Sequence, residues 1–185
     1  RLMTHPYAGN GEHTGSYYAA SANPTPLRRA LSGIHETDIC VVGAGYSGLS
    51  TALHLAEKGY TVTLIEGARI GWGASGRNGG IVSPAFACGS DSIIARVGPD
   101  KARALHKLTI EGVERLRSHI QTLNIAQAEP IAGLLNLRRF DQVHDLHAYA
   151  DEFQRDYGYA FTYLDRNAIQ ERLQTTRYLH GLEDP

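Results

Sequence analysis

The fold is decided by the stretch DICVVGAGYSG, which occupies residues 38–48. Its first half is a short apolar run with β-branched residues, which predicts a buried strand. Its second half reads G-x-G-x-x-G and leads into a helical pattern that ends at Gly59, a typical helix cap. The apolar residues on one face of this helix are Leu49, Ala52, Leu53 and Ala56. A second apolar run follows at residues 61–65, so strand, helix and strand fill residues 37–66, the length that a βαβ unit requires.

Each glycine of this motif has a structural role that a larger residue could not fill. Gly43 permits a tight turn out of the strand, Gly45 lets a pyrophosphate approach the backbone, and Gly48 lets the helix pack closely on the strand. The N–H groups at the helix start, around Tyr46 and Ser47, and the helix dipole would then face the dianionic pyrophosphate. The motif therefore predicts a phosphate-binding turn.

An acidic residue closes the unit. Glu66 lies 23 residues after Gly43, at the carboxyl end of the second strand. Its carboxylate can accept hydrogen bonds from both hydroxyls of an adenosine ribose, and its charge would repel a 2′-phosphate, which disfavours NADP. A glycine turn with an incidental glutamate is the simpler alternative, but strand, helix and acid together favour dinucleotide binding. The motif alone leaves NAD and FAD both open.

The next segment, GWGASGRNGG at residues 71–80, contains five glycines in ten residues. Glycine loses the most backbone entropy on ordering, so this density indicates that another group approaches the main chain. Arg77 offers positive charge for a phosphate, and Ser75 and Asn78 offer short polar contacts. The predicted cofactor-binding residues of this segment are Gly73, Ala74, Ser75, Arg77, Asn78, Gly79 and Gly80. A flexible surface loop is the alternative interpretation.

These features together resemble the N-terminal part of FAD-dependent oxidoreductases related to D-amino-acid and glycine oxidases. Residues 13–23 are also similar to the stretch before the first strand in the gamma-glutamylputrescine oxidoreductases of that family. The resemblance implies FAD as the cofactor, with the adenosine ribose on Glu66 and the pyrophosphate at residues 45–48. It places residues 73–80 beside the pyrophosphate, the ribityl chain and the flavin.

The same resemblance implies an activity, in which a small-molecule amine loses hydride from a C–H bond to flavin and water hydrolyses the imine. Oxygen would then take the electrons, and the pathway would be polyamine catabolism. No catalytic acid or base is assigned, because the cofactor supplies the difficult chemistry. Members of the family are much longer, so we expect an N-terminal fragment of such an enzyme. The alternatives are an NAD-linked dehydrogenase and a non-catalytic truncated remnant.

We expect three segments along the chain. Residues 1–36 lack apolar periodicity and are predicted to form a mobile leader. Residues 37–95 form the Rossmann-like FAD-binding segment. Residues 96–185 form a helical segment and the start of a substrate domain that is truncated at the C-terminus. The expected fold class is α/β, a βαβ unit followed by a partial α+β substrate domain, in an incomplete flavin fold of the glutathione-reductase type.

The later elements follow from the same periodicities, whereas residues 67–90 show no convincing period and are predicted to be a loop. The predicted elements are a long helix from Pro99 to about residue 123, a strand at 133–137, a weak helix at 141–156, a strand at 160–164 and a short helix at 166–173. Asp100 is expected to be the N-cap of the long helix. The residues expected to form its core-facing stripe are Leu105, Leu108, Val113, Leu116, Ile120 and Leu123.

Composition excludes several classes of function. The formal net charge of −1 argues against a nucleic-acid partner held by bulk electrostatics. No apolar run approaches the roughly 18–20 residues that a membrane span needs, so we expect no span and a cytoplasmic location.

The two cysteines exclude a disulfide framework. Cys40 is expected to be a small core residue in the first strand, and Cys88 a loop residue without an activating base. His144 and His147 are spaced as a possible ligand pair, but without a third ligand nearby a solvated helix surface is favoured. We therefore expect no metal site.

Overall fold

A computed structural model describes residues 15–23, 26 and 28–185. The chain divides into two compact units, a first unit of residues 1–81 and a second unit of residues 82–185. The predicted boundary between the FAD-binding segment and the substrate domain, at residues 95 and 96, stays a prediction. Of the predicted leader, residues 1–14, 24, 25 and 27 lie outside the described residues.

The described part of the leader contains one short helix that the sequence did not predict, α1 (Tyr17–Ser21). Its N-cap is Ser16, whose hydroxyl accepts a hydrogen bond from the Ala19 N–H at 3.2 Å. A serine in this position satisfies one of the N–H groups that a helix start leaves without a carbonyl partner.

The first unit contains the predicted βαβ arrangement. Its elements are β1 (Ile39–Val42), α2 (Tyr46–Glu57) and β2 (Val62–Ile65), followed by a 3-10 turn at Ala74–Gly76. The two strands are parallel and in register from Ile39 opposite Val62 to Val42 opposite Ile65. Helix α2 ends at Glu57 with Lys58 as its C-cap, and Gly59 follows with φ +89°, which confirms the predicted cap.

The prediction that β1 is buried, with Cys40 in a core, is wrong. Ile39 and Val41 are partly buried, whereas Cys40 is exposed and Val42 is 80% exposed. Alternate residues of a strand face opposite sides of the sheet. Within the described residues β1 and β2 pair only with each other. Helix α2 covers the side that Val41 faces, since a Cβ at Gly48 would lie 3.5 Å from the Val41 Cγ1.

The second unit contains four helices and an antiparallel sheet. The elements are α3 (Ser90–Val97), α4 (Pro99–Thr122), β3 (Leu134–Arg138), α5 (Val143–Tyr157), β4 (Thr162–Leu164), α6 (Arg166–Leu173) and β5 (His180–Asp184), with a 3-10 turn at Ala126–Ala128. Three predicted helices and two predicted strands are confirmed, with small shifts of their ends. Helix α3 was missed. The N-cap of α4 is Gly98, so the prediction of Asp100 is wrong; Asp100 lies in the first turn and pairs with Arg103.

Strand β5 was also missed, although it is the central strand of the sheet, in the order β3-β5-β4. Its Gly181 and its acidic residues hide the strand pattern. The glycine lets β3 approach closely, because a Cβ at Gly181 would lie 2.6 Å from the Leu137 Cδ2 and 3.1 Å from the Asn136 carbonyl oxygen. The core lies beneath this sheet, and its most buried residues are Ile169, Leu182, Phe153, Leu146 and Leu164.

The predicted core stripe of α4 is wrong at its four leucines. Leu105, Leu108, Leu116 and Leu123 are all at least 36% exposed. The other two predicted residues, Val113 and Ile120, are partly buried. The buried residues of α4 are Ala102 and His106, and the helices that pack against α4 are α3 and α5.

The core of the second unit can be tested at Ile169, which is 1% exposed on α6. Ile169→Ala should destabilise the unit by about 2–5 kcal/mol, because it removes buried methyl groups and leaves a cavity. Hydrogen exchange of the β5 amides in urea measures the change. The control Leu173→Ala alters the same helix at a residue that is 45% exposed and should have a much smaller effect. Equal effects of the two substitutions would contradict this description of the core.

Candidate dinucleotide-binding site

The turn between β1 and α2 requires glycine at two positions, for different reasons. Gly43 has φ +98°, a conformation that residues with a Cβ rarely adopt. A Cβ at Gly48 would lie 1.9 Å from the carbonyl oxygen of Gly43, so the helix start rests directly on the main chain of the turn. The structure therefore supports the predicted turn at Gly43 and the predicted close packing at Gly48.

The start of α2 presents main-chain N–H groups. The first helical bond runs from the Leu49 N–H to the Gly45 carbonyl at 2.9 Å, so the N–H groups of Ser47 and Gly48 precede the helical ladder. Gly45 is the N-cap and supplies no side-chain cap. Such N–H groups, together with the helix dipole, favour an anion at this end of the helix.

Glu66 follows β2 and lies beside the same turn. Its Oε2 accepts a hydrogen bond from the Ala44 N–H at 2.8 Å, and its Oε1 accepts one from the Ala68 N–H at 3.0 Å. The Ala44 hydrogen bond is the main cause that lowers the pKa of Glu66, and it outweighs the effect of partial burial. An ionised carboxylate has about four lone-pair sites, so both oxygens keep a further acceptor position for ribose hydroxyls.

The glycine-rich segment lies against this turn. The Gly71 N–H donates to the Ala44 carbonyl at 2.9 Å. The Ser75 Oγ accepts the Tyr46 N–H at 3.0 Å, and the Asn78 side-chain amide donates to the Tyr46 hydroxyl at 3.0 Å. These contacts hold the segment on the phosphate-binding turn, which favours the cofactor interpretation over that of a flexible surface loop.

Two glycines show why the contact is close. A Cβ at Gly45 would lie 2.9 Å from the Ser75 Oγ, and one at Gly76 would lie 2.2 Å from the Gly71 carbonyl oxygen. Sequence reasoning did not assign Ala44, Gly71 or Gly76 to the site. The glycine density of residues 71–80 was the available signal for Gly71 and Gly76, whereas no pattern marks Ala44.

The remaining predicted residues of this segment lie along the same stretch. The Arg77 Nη2 donates to the Trp72 carbonyl at 2.7 Å, and the guanidinium lies 4.7 Å above the Trp72 ring. Its predicted phosphate contact stays a prediction. Gly80 has φ +70° and donates its N–H to the Asn78 Oδ1 at 2.9 Å. The residues at which a Cβ would meet nothing within 4 Å are Gly73, Gly79 and Gly80, so their main chain is open to approach.

The other candidates are not brought into this site. Cys88 is exposed. The His144 side chain is 95% exposed, and the His147 ring lies 4.4 Å from the Tyr163 ring. Within the described residues, neither histidine belongs to a group of three potential metal ligands. In the same part of the chain, no helix combines the length and the apolar character needed to cross a membrane.

A parallel βαβ unit, a glycine turn at a helix start and an acid after the second strand define a dinucleotide-binding domain. Comparison with known proteins identifies the family to which this domain belongs. A family model described as "FAD dependent oxidoreductase" matches residues 38–185. The chain belongs to this FAD-dependent oxidoreductase family. Its cofactor is FAD, which decides between the two dinucleotides that the motif left open.

Individual relatives of the chain are also oxidoreductases. The chain is 40% identical over 173 residues to gamma-glutamylputrescine oxidoreductase of Escherichia coli K12, which covers 94% of this chain and 41% of that protein. It is 39% identical over 178 residues to the probable oxidoreductase OrdL of Haemophilus influenzae, covering 94% and 40% respectively. The chain thus spans about two fifths of the length of these relatives.

A solved structure shows the same fold. The crystal structure of L-proline dehydrogenase from P. horikoshii matches with a TM-score of 0.62 at 20% identity, covering 81% of this chain and 37% of that one. The α/β fold class expected from the sequence is confirmed.

The residues present fit FAD. Main-chain N–H groups at the start of α2 suit the pyrophosphate, and the Glu66 carboxylate suits the adenosine ribose. At Gly45 and Gly48 a side chain would enter the space that the turn keeps narrow. These N–H donors and this carboxylate acceptor therefore match the ADP half of the cofactor.

The close approach at Gly48 can be tested by mutation. Gly48→Ala should destabilise the first unit by about 1–3 kcal/mol, because the added Cβ overlaps a backbone oxygen that must move. Urea unfolding followed by the fluorescence of Trp72, the sole tryptophan of the chain, measures the change. Gly67→Ala, at an open position of the same unit outside its helices, is the control and should shift the Trp72 transition much less. An unchanged transition in Gly48→Ala would refute the packing described here.

The Glu66 carboxylate predicts a pH dependence. Its folded pKa is below the ordinary value of about 4.5, so its contribution to stability is complete above that value and is lost as the pH falls through the lowered folded pKa. Carbon-13 NMR of the side-chain carboxyl should report this lowered pKa. Glu66→Gln should remove that part of the acid sensitivity of the Trp72 transition. A measured pKa at or above the ordinary value would contradict the hydrogen bond from Ala44.

Proposed function

We propose that this chain is the cofactor-binding part of an FAD-dependent amine oxidoreductase that acts on a small amine. The observation that carries the proposal is the convergence of three features on one turn: the N–H groups at the start of α2, the Glu66 carboxylate and the docked segment 71–80. The likeness to gamma-glutamylputrescine oxidoreductase supports an amine as the substrate.

The proposed role of each residue in FAD binding follows from its position. The amides of Ser47 and Gly48 bind the pyrophosphate, and Glu66 accepts the ribose hydroxyls. Ser75 and Asn78 hold the segment in place through Tyr46, which leaves the main chain of residues 79–80 open beside the flavin end. When bound, FAD supplies the acceptor for the hydride that leaves the amine C–H bond. No catalytic acid or base is assigned among these residues.

Two further features belong to this proposal. Oxygen is the proposed electron acceptor, and the cytoplasm is the proposed location. Both cysteines, Cys40 and Cys88, are free, which suits a reducing compartment.

A binding experiment tests the function. FAD added to the purified chain should bind and quench Trp72, and ADP should compete, because the ADP half makes the assigned contacts. FMN has no adenosine and should bind far more weakly. A chain that binds NAD and ignores FAD would favour the alternative of an NAD-linked dehydrogenase. A chain that binds neither would favour the non-catalytic remnant.

Glu66 gives the matching mutational test. Glu66→Ala should weaken FAD binding by about 1–3 kcal/mol, since it removes hydrogen bonds to a charged acceptor. The affinity is measured by the same titration, with Glu36→Ala as an exposed acidic control in the first unit. Unaltered affinity in Glu66→Ala would mean that the ribose lies elsewhere.

A further inference from the structure

His106 on α4 contains a buried atom that lacks a partner. The residue is 6% exposed, and within the described residues its Nε2 makes no hydrogen bond. Buried polar atoms in native proteins almost always have a partner, so an exception requires an explanation. A ligand or a water molecule that supplies a hydrogen bond would provide one.

A cavity lies beside this atom, where α3, α4 and α5 of the second unit meet. It has a volume of about 40 Å³, and its walls include His106, Phe86, Tyr157 and Ile93. The Tyr157 and Phe86 ring centroids lie 4.3 Å and 6.5 Å from that of His106. The cavity exceeds the roughly 10–15 Å³ that one water needs, so it has room for a group larger than a single water molecule.

The charges that line the cavity favour a cation. Its ionisable lining residues besides His106 are Glu152, Asp156 and Arg103, a formal sum of −1. The Asp156 carboxylate accepts two hydrogen bonds from Arg155, and the Arg103 guanidinium binds Asp100. Glu152 forms no ion pair within the described part of the chain, so its negative charge acts on the cavity.

The expected protonation state of His106 also favours a cationic ligand. Burial lowers its pKa, and the charge of Glu152 raises it by less. The imidazole is therefore neutral at neutral pH and has one nitrogen that accepts a hydrogen bond. An ammonium group carries three N–H donors and is attracted to the faces of aromatic rings.

We propose that this cavity binds a primary alkylammonium group, which donates a hydrogen bond to the His106 Nε2, pairs with Glu152 and contacts the rings of Phe86 and Tyr157. The site goes beyond the proposed function, because it lies within the second unit and includes no residue assigned to FAD. Its test needs no FAD, so its result does not depend on the cofactor assignment.

Two simpler occupants compete with this proposal. One is water alone. The other is an N–H···π contact, since the His106 ring meets the Phe153 ring at 84° with centroids 4.8 Å apart. Such a contact needs a proton on the Nε2, whereas the proposed ligand needs the Nε2 to be the acceptor.

Nitrogen-15 NMR of the histidine rings in the full chain decides between them, with methylammonium chloride as the probe and potassium chloride at equal ionic strength as the reference. We expect an unprotonated Nε2 and a saturable shift of the His106 ring signals on titration. Tetramethylammonium lacks an N–H donor and should produce no saturable shift.

Matched variants test the role of Glu152. Glu152→Gln keeps the size of the side chain and should weaken methylammonium binding at least tenfold. Asp151→Asn removes the same charge from the neighbouring exposed residue and should change the affinity less than twofold. A protonated Nε2, no saturable shift of His106, or equal affinities of the wild type and Glu152→Gln would each overturn the proposal.

Discussion

Helix α2 can rest on the turn before it only because position 48 has no side chain. A single added carbon would overlap the Gly43 carbonyl oxygen, and the backbone at Gly43 itself requires a glycine conformation. This contact brings the start of the helix next to β1, where Glu66 at the end of the parallel β2 meets the Ala44 N–H. The amides proposed to bind the pyrophosphate and the acid proposed to bind the ribose are adjacent as a consequence.

The segment of residues 71–80 distinguishes this chain from a plain dinucleotide-binding unit. The proposed contacts of the turn and Glu66 are with groups that NAD and FAD share, so they do not select between the two. The segment adds a second layer of main chain at the same turn, held through Ser75 and Asn78 to the backbone and hydroxyl of Tyr46. Family membership identifies FAD as the cofactor, and the docked segment of residues 71–80 is consistent with it.

Much of this architecture could be predicted from the sequence, and the failures have physical causes. The βαβ unit was predictable because strand and helix periodicities change at a glycine motif. The contact of Ser75 with Tyr46 was not, because it joins residues 29 apart through loop geometry. Strand β5 was missed because Gly181 and the acidic residues after it weaken the strand pattern. The four leucines of the predicted α4 stripe are exposed because the position of α3 and α5, and not the apolar spacing, decides what is buried.

The proposed binding of the pyrophosphate at the start of α2 can be tested by amide NMR of the chain titrated with FAD. We expect the largest shifts of backbone N–H signals in the first unit at Ser47 and Gly48, with smaller changes near Glu66. If FAD binds while these two amides keep their positions and the largest shifts fall elsewhere, the assignment of the phosphate site is wrong.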